Sequence, residues 1–235
     1  MLSNRDTFLQ LIRLGICNAS AARIPENVDW SELETLAAQH GLSAILVDGV
    51  EKLPEGQRPP KPLLLQWIGE TLQGYEYRYE LYSRTIAEMA AFYNEYGFKM
   101  MVLKGYACSL DWPKSEHRPC GDIDIWLFGK QKEADKALAA SSKFQDSCSK
   151  IDSSHHHHTV FYWRDFMVEN HYDFIEVHHH SSSPALEKIL KELGQDDSHF
   201  VELYGEKVYI GAVQFFRGCS TVTTAEYSTQ TIHIS

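Results

Sequence analysis

A chain of 235 residues with 43% hydrophobic and 23% charged side chains has the composition of a folded globular protein, long enough for one domain or two small lobes. Its formal charge of −10 argues against a general nucleic-acid coat, since backbone binding draws on lysine and arginine neutralising phosphate, and leaves room only for a local basic pocket. No run of about 18 apolar residues is present to span a membrane. Met1 to Asp6 lacks the basic-then-apolar layout of a secretory leader, and five widely spaced cysteines without a Cys-x-x-Cys pair point to a reducing compartment, so a cytoplasmic location is expected.

In chain order, Ser3 with Asp6 marks a capping box opening a first helix, on which Phe8, Leu9, Ile12 and Ile16 form an apolar stripe. Ser31 to Glu34 signals a second start, with Leu33, Leu36, Ala37 and His40 at helical spacing and Gly41 as the stop. Leu42 to Val50 is a short apolar helix or turn, and the prolines from Pro54 to Pro62 break the chain. From Leu64, residues Ile68, Leu72, Tyr75, Tyr79, Tyr82, Ile86, Met89 and Tyr93 recur at spacings of three and four up to Gly97, the pattern of one long helix. Its stripe reads first as core packing; a stacking surface for nucleobases and a homodimer through the long helix are the other uses of such a stripe.

The period changes at Gly97. Lys99 to Leu103 reads as a buried strand, Lys104-Gly105 as its junction with a short helix, and Trp112 to Gly121 as a loop carrying Lys114, His117 and Arg118. A strand from Asp122 to Phe128 follows, with Asp122 and Asp124 on one face and Ile123 and Ile125 on the other. Beyond it come a helix at Lys132 to Ala140, a polar connector at Cys148 to Ser154 and an aromatic strand at Thr159 to Trp163. Arg164 to His171 is expected to turn the chain into a second strand, Tyr172 to His178, where Phe174, Glu176 and His178 share a face. An amphipathic helix at Pro184 to Leu193 and one or two short strands, Phe200 to Tyr204 and Lys207 to Val213, complete the pattern. The expected organisation is an N-terminal helical region over 1–96, an α/β core over 97–217 and an irregular or truncated tail over 218–235.

Two ionised carboxylates as close as Asp122 and Asp124 repel unless a proton, a donor or a metal sits between them. With Glu176 converging from a second strand, the set suits one or two Mg2+ ions, which neutralise a triphosphate and activate an attacking hydroxyl. Gly105, where a strand enters a helix, lets backbone amides approach an anion. His157, His158 and His178 lie beside the expected strands and are candidates to touch substrate phosphate, although structural or rim roles are favoured for both histidine runs; consecutive histidines do not by themselves supply a tetrahedral zinc site.

The segments Leu103-Lys104-Gly105, Arg118-Pro119-Cys120-Gly121-Asp122-Ile123-Asp124 and Ile175-Glu176-Val177-His178 together resemble the uncharacterised nucleotidyltransferase family of the DNA polymerase beta-like superfamily, whose members carry Leu-Lys-Gly, Arg-x-x-Gly-Asp-x-Asp and acidic-x-His segments. The resemblance implies an α+β fold, a small mixed sheet flanked by helices with an N-terminal helical region. It implies that Asp122, Asp124 and Glu176 are the metal-binding and catalytic carboxylates, with Glu176 handling the acceptor hydroxyl, and that Gly121 opens the metal strand. Lys104-Gly105 stands where many superfamily members have Gly-Ser for the phosphates of the incoming nucleotide. Lys104 either contacts phosphate or neutralises the carboxylates, and Arg118 either holds a phosphate or acceptor carboxylate or braces its loop. The implied activity is Mg2+-dependent transfer of a nucleoside monophosphate from a nucleoside triphosphate to a hydroxyl on a small molecule, protein or RNA. A metal-dependent phosphohydrolase, and a non-catalytic partner-binding protein on the same fold, are the alternatives.

Overall fold

The capping box at the N-terminus is formed in the computed structural model: Ser3 Oγ accepts from the Asp6 N–H at 3.1 Å while the Asp6 carboxylate accepts from the Ser3 N–H at 3.2 Å, opening α1 (Asn4–Gly15). The structure describes residues 3–142, 150–178 and 180–211; the expected tail over 218–235, Cys148 at the start of the connector, His179 and the last residues of the expected final strand lie outside them. The chain divides into two units, Met1–Leu81 with Ser109–Pro119, and Tyr82–Cys108 with Cys120–Ser235.

The first unit is helical. α2 (Trp30–Gln39) begins earlier than a Ser31 cap would allow, because Asp29 Oδ1 accepts from the N–H groups of Ser31 and Glu32 at 3.0 and 3.1 Å. The apolar run at Leu42 becomes α3 (Ser43–Glu51), which crosses α1 backbone to backbone: a Cβ on Gly49 would overlap the Leu11 carbonyl, and one on Gly15 the Ile45 carbonyl. Lys52 Nζ donates to the carbonyls of Leu14 and Gly15 at 2.8 and 3.0 Å, a cation at the end of α1 where the helix dipole favours it. Beneath these helices Leu11, Leu33, Ala37, Leu46 and Trp67 form a buried core.

The single long helix expected from Leu64 is two helices, α4 (Lys61–Thr71) and α5 (Tyr77–Glu95), joined by a π turn at Leu72–Glu76. A π turn slips the helical phase, so the stripe does not run straight through: Leu72 is exposed, whereas Tyr82, Ile86, Met89 and Tyr93 are buried.

A buried ionic group ties the Ser109–Pro119 segment to this unit. His117 Nδ1–H donates to Asp48 Oδ2 at 2.7 Å and Nε2–H to Glu76 Oε1 at 3.1 Å, while Lys114 Nζ lies 2.6 Å from Asp48 Oδ1. Burial opposes the charge on His117, but the bonds to Asp48 and Glu76 outweigh it and raise its pKa above 6.5; burial likewise opposes the Asp48 carboxylate, which His117 and Lys114 nevertheless hold below its usual range.

The second unit is α+β: a six-stranded mixed sheet flanked by helices. In spatial order its strands are β3 (His158–Trp163), β4 (Phe166–His171), β2 (Ile123–Trp126), β1 (Met101–Val102), β6 (Glu206–Ile210) and β5 (Phe200–Leu203). The β2–β4 and β1–β6 pairs are parallel and the others antiparallel. α6 (Gly105–Ser109) follows β1, α7 (Gln131–Ala140) follows β2 and α8 (Ser183–Gly194) precedes β5.

Strand alternation separates the two faces. One carries Phe161, Trp163, Phe166, Val168 and Asn170 and is covered by α5, through ring contacts of Tyr82 with Phe166 and Phe92 with Trp163, and by α7. There Asp135 of α7 accepts from Thr159 Oγ1 at 3.0 Å and Asn170 Nδ2 at 2.8 Å. On the other face α8 packs its Gly194 against Trp126 at the β1–β2 end.

The strand expected at Tyr172–His178 is not formed. The chain reverses instead at Arg164-Asp165, a two-residue hairpin with Arg164 at φ +54°, and Phe166–His171 becomes β4. The N–H groups of Tyr172 and Asp173 both donate to the His157 carbonyl, and those of Phe174 and Ile175 to the Glu187 carboxylate of α8, so none is left for a strand partner.

Two stability outcomes follow for the helical unit. Gly49→Ala should lower stability to urea by about 1–3 kcal/mol, because the obstacle is backbone that cannot move aside. His117 has a raised folded pKa, so its contribution is complete below about pH 6.5 and is lost as the pH rises through the folded value; Asp48, with a lowered one, contributes above its unfolded pKa of 3.8 and loses this as the pH falls. His117→Asn should therefore flatten the alkaline side of the stability profile, read by urea denaturation at a series of pH values.

Candidate active site

β2 and β4 lie in register with Asp124 opposite Glu169 and Trp126 opposite His171. Alternation puts Asp124, Glu169 and His171 on one face, and the pairing of His158 with His171 adds β3 to the same patch. Two groups of three metal-ligand side chains result, each with its ligand atoms within 4.8 Å of one another: Asp124, Glu169 and His171, and His157, His158 and His171.

Asp124 is almost fully buried and its Oδ1 accepts from Lys104 Nζ at 2.9 Å and His171 Nε2 at 3.0 Å. Burial opposes its charge, yet His171 and Lys104 prevail and bring its pKa down to about 2. His171 Nε2 also lies 3.3 Å from Glu169 Oε2, and its Nδ1–H donates to the Asp173 carbonyl at 3.3 Å. Burial disfavours the imidazolium, but Asp124 and Glu169 raise the His171 pKa, and the His171 bond in turn lowers that of Glu169. His158 moves the other way, down to about 4, because it is buried without a comparable acceptor. The patch thus gathers two carboxylates, an ammonium and three imidazoles, with burial favouring the neutral forms of His157 and His158 while Asp124 and Glu169 favour the charged form of His171.

Asp122, half-buried just before β2, has its pKa raised by burial and by repulsion from Asp124. Its carbonyl accepts from the Tyr82 hydroxyl at 2.6 Å. Tyr82 also bears on Gly105: this residue sits at φ +41°, and a Cβ there would strike the Tyr82 hydroxyl, so the backbone conformation and the Tyr82 side chain together favour glycine. Around Gly121, by contrast, there is open space. Asp124 and Glu169 present the hard oxygen donors that Mg2+ takes and fit such an ion, whereas the Asp122 carboxylate is in neither three-residue group.

Of the other expected site residues, Lys104 joins Asp124 as described. Arg118 lies in the helical unit, where it donates to the Pro119 carbonyl at 3.3 Å and its guanidinium stands 6.0 Å from the Trp112 ring centre. His157 and His158 join the patch through His171. His178 is exposed in a turn, and Glu176 lies in the loop after β4, close enough for its charge to act on His157 but in neither three-residue group.

The sequence pattern does not single out Glu169 and His171, which the structure brings beside Asp124. Glu169-Asn170-His171 meets the acidic-x-His spacing as well as Glu176-Val177-His178 does, and it ends the strand that the Arg164-Asp165 hairpin returns against β3.

Among the described residues no helix is long and apolar enough to cross a membrane. No curated protein and no solved structure matches the chain. A family model does match, over residues 26–208, a span that contains β1, β2, β4 and every residue of the patch. The chain therefore belongs to the uncharacterised nucleotidyltransferase family, and nucleotidyl transfer is the general activity this membership supports.

Proposed function

We propose that the protein is a Mg2+-dependent transferase that moves a nucleoside monophosphate from a nucleoside triphosphate to a hydroxyl acceptor on a small molecule, protein or RNA. The observation that carries this reading is the register match of Asp124 with Glu169 on adjacent parallel strands, with Asp122 two positions before Asp124. In this reading Asp122, Asp124 and Glu169 hold the divalent ion, and Glu169 takes the part that the resemblance assigned to Glu176. Bound there, the ion neutralises the triphosphate and lowers the pKa of the acceptor hydroxyl.

The chain's own groups supply the remaining parts. Lys104, half-exposed and already beside Asp124, is the cation available to the nucleotide phosphates. His171 orients both Asp124 and Glu169, as an outer hydrogen-bonding partner does for a metal ligand. Glu169, ionised at neutral pH, accepts the proton of the acceptor hydroxyl as its oxygen attacks the α-phosphorus and pyrophosphate leaves.

Calorimetric titration with the four common nucleoside triphosphates in Mg2+, followed by analysis of released phosphate species, tests this. At least one nucleotide should bind, and Asp124→Asn or Glu169→Gln should weaken nucleotide-dependent turnover by about 100-fold or more, while Glu176→Gln should change it far less. Pyrophosphate is the expected product; release of orthophosphate would identify a phosphohydrolase, and equal nucleotide binding by all variants would remove the assignment of these carboxylates.

A further inference from the structure

Consecutive histidines on a regular strand point to opposite faces, so His157 and His158 would not be expected to meet. They do meet here because only His158 belongs to β3. The His157 carbonyl accepts from the N–H groups of Tyr172 and Asp173 at 3.0 and 3.1 Å, which pins the residue at the end of β4 and breaks the alternation. His171, the last residue of that strand, pairs with His158 and completes the group. The ring centres lie 4.3 Å apart for His157 and His158, 5.2 Å for His158 and His171, and 5.8 Å for His157 and His171.

Two further observations point to a ligand. Nδ1 of His157 and Nδ1 of His158 are buried and have no hydrogen-bond partner, although His158 is only 7% exposed. A buried polar atom left unpaired is costly and rare enough to require a reason. In addition, the Glu169 carboxylate lies near the other ring nitrogens, with Oε1 3.9 Å from His158 Nε2 and Oε2 3.3 Å from His171 Nε2.

We propose that His157, His158 and His171, with Glu169, form a binding site for a borderline transition-metal ion, Zn2+ foremost, beside the oxygen-donor set of Asp122 and Asp124. Three imidazole nitrogens and a carboxylate oxygen are the donors of a zinc-type site, whereas Mg2+ takes oxygen almost exclusively. The site shares His171 and Glu169 with the patch of the proposed transfer reaction but is defined by His157 and His158, which that reaction does not use, so Zn2+ binding and nucleotide turnover are read separately. His155 and His156, exposed members of the same run, lie outside the group.

The test is a titration of chelator-treated, nucleotide-free protein with Zn2+ by calorimetry in excess Mg2+, paralleled by Co2+ with its visible d–d absorption as the reporter of coordination. One ion per chain should bind without competition from Mg2+, and the Co2+ spectrum should be that of a low-coordinate nitrogen-rich centre. His157→Ala and His158→Ala should each weaken Zn2+ binding about 10- to 100-fold, while the double variant His155→Ala/His156→Ala should retain it. Should His158→Ala fail to fold by circular dichroism, His157→Ala, only partly buried, decides the matter. Absence of binding, displacement by Mg2+, retention in His157→Ala, or loss in the His155/His156 variant would each overturn the proposal, the last by identifying an exposed histidine run that chelates as any such run does.

Discussion

Asp124 and Glu169 face one another because β2 and β4 are hydrogen-bonded in parallel, and two carboxylates so placed in a largely buried setting repel unless cations share the space. Lys104 and His171 provide that balance, and they come from different places: Lys104 from the end of β1, His171 from β4 itself. Each partner's charge depends on the other being present. Burial disfavours the charged form of each, and each favours the charged form of the other in a nearly solvent-free position.

The backbone around this pairing is anchored from both sides of the sheet. On one face Asp135 of α7 ties β3 to β4 through Thr159 and Asn170, which leaves Asn170, at the centre of the Glu169-Asn170-His171 segment, unable to slip in register. Beyond the strand, Glu187 and Lys191 of α8 hold the loop that follows, Glu187 by its bonds to the Phe174 and Ile175 N–H groups and Lys191 by its ion pair with Asp173. A one-residue slip would turn Glu169 and His171 to the opposite face, so these contacts maintain the site as well as the fold.

The proposed metal chemistry grows from the same geometry. The Asp124 and Glu169 oxygens and the His157 and His158 nitrogens form two adjoining groups, with His171 common to both. Hard and borderline cations prefer different members of such a set, and a patch of this kind separates them by donor type within a few ångströms.

Much of the architecture was legible in the sequence because local rules govern it. The Ser3 capping box, α7, α8 and the last strands each follow from spacing that neighbours in the chain enforce, and Asp124 was recognisable on one face of a strand, although Asp122 lies just before it. The family resemblance was legible in the same way, since Leu103-Lys104-Gly105 and the Asp-x-Asp strand are contiguous motifs. Which acidic-x-His segment stands beside that strand was not, because both have the spacing and the polar end of β4 reads locally as a turn. Backbone hydrogen bonds decided it: the N–H groups of Tyr172 to Ile175 are taken by the His157 carbonyl and the Glu187 carboxylate, the first just before β3 and the second on the following helix. Residue types and their periods are properties of a segment, whereas pairing partners depend on which segments meet, and that is settled only when the whole chain competes for the same donors and acceptors.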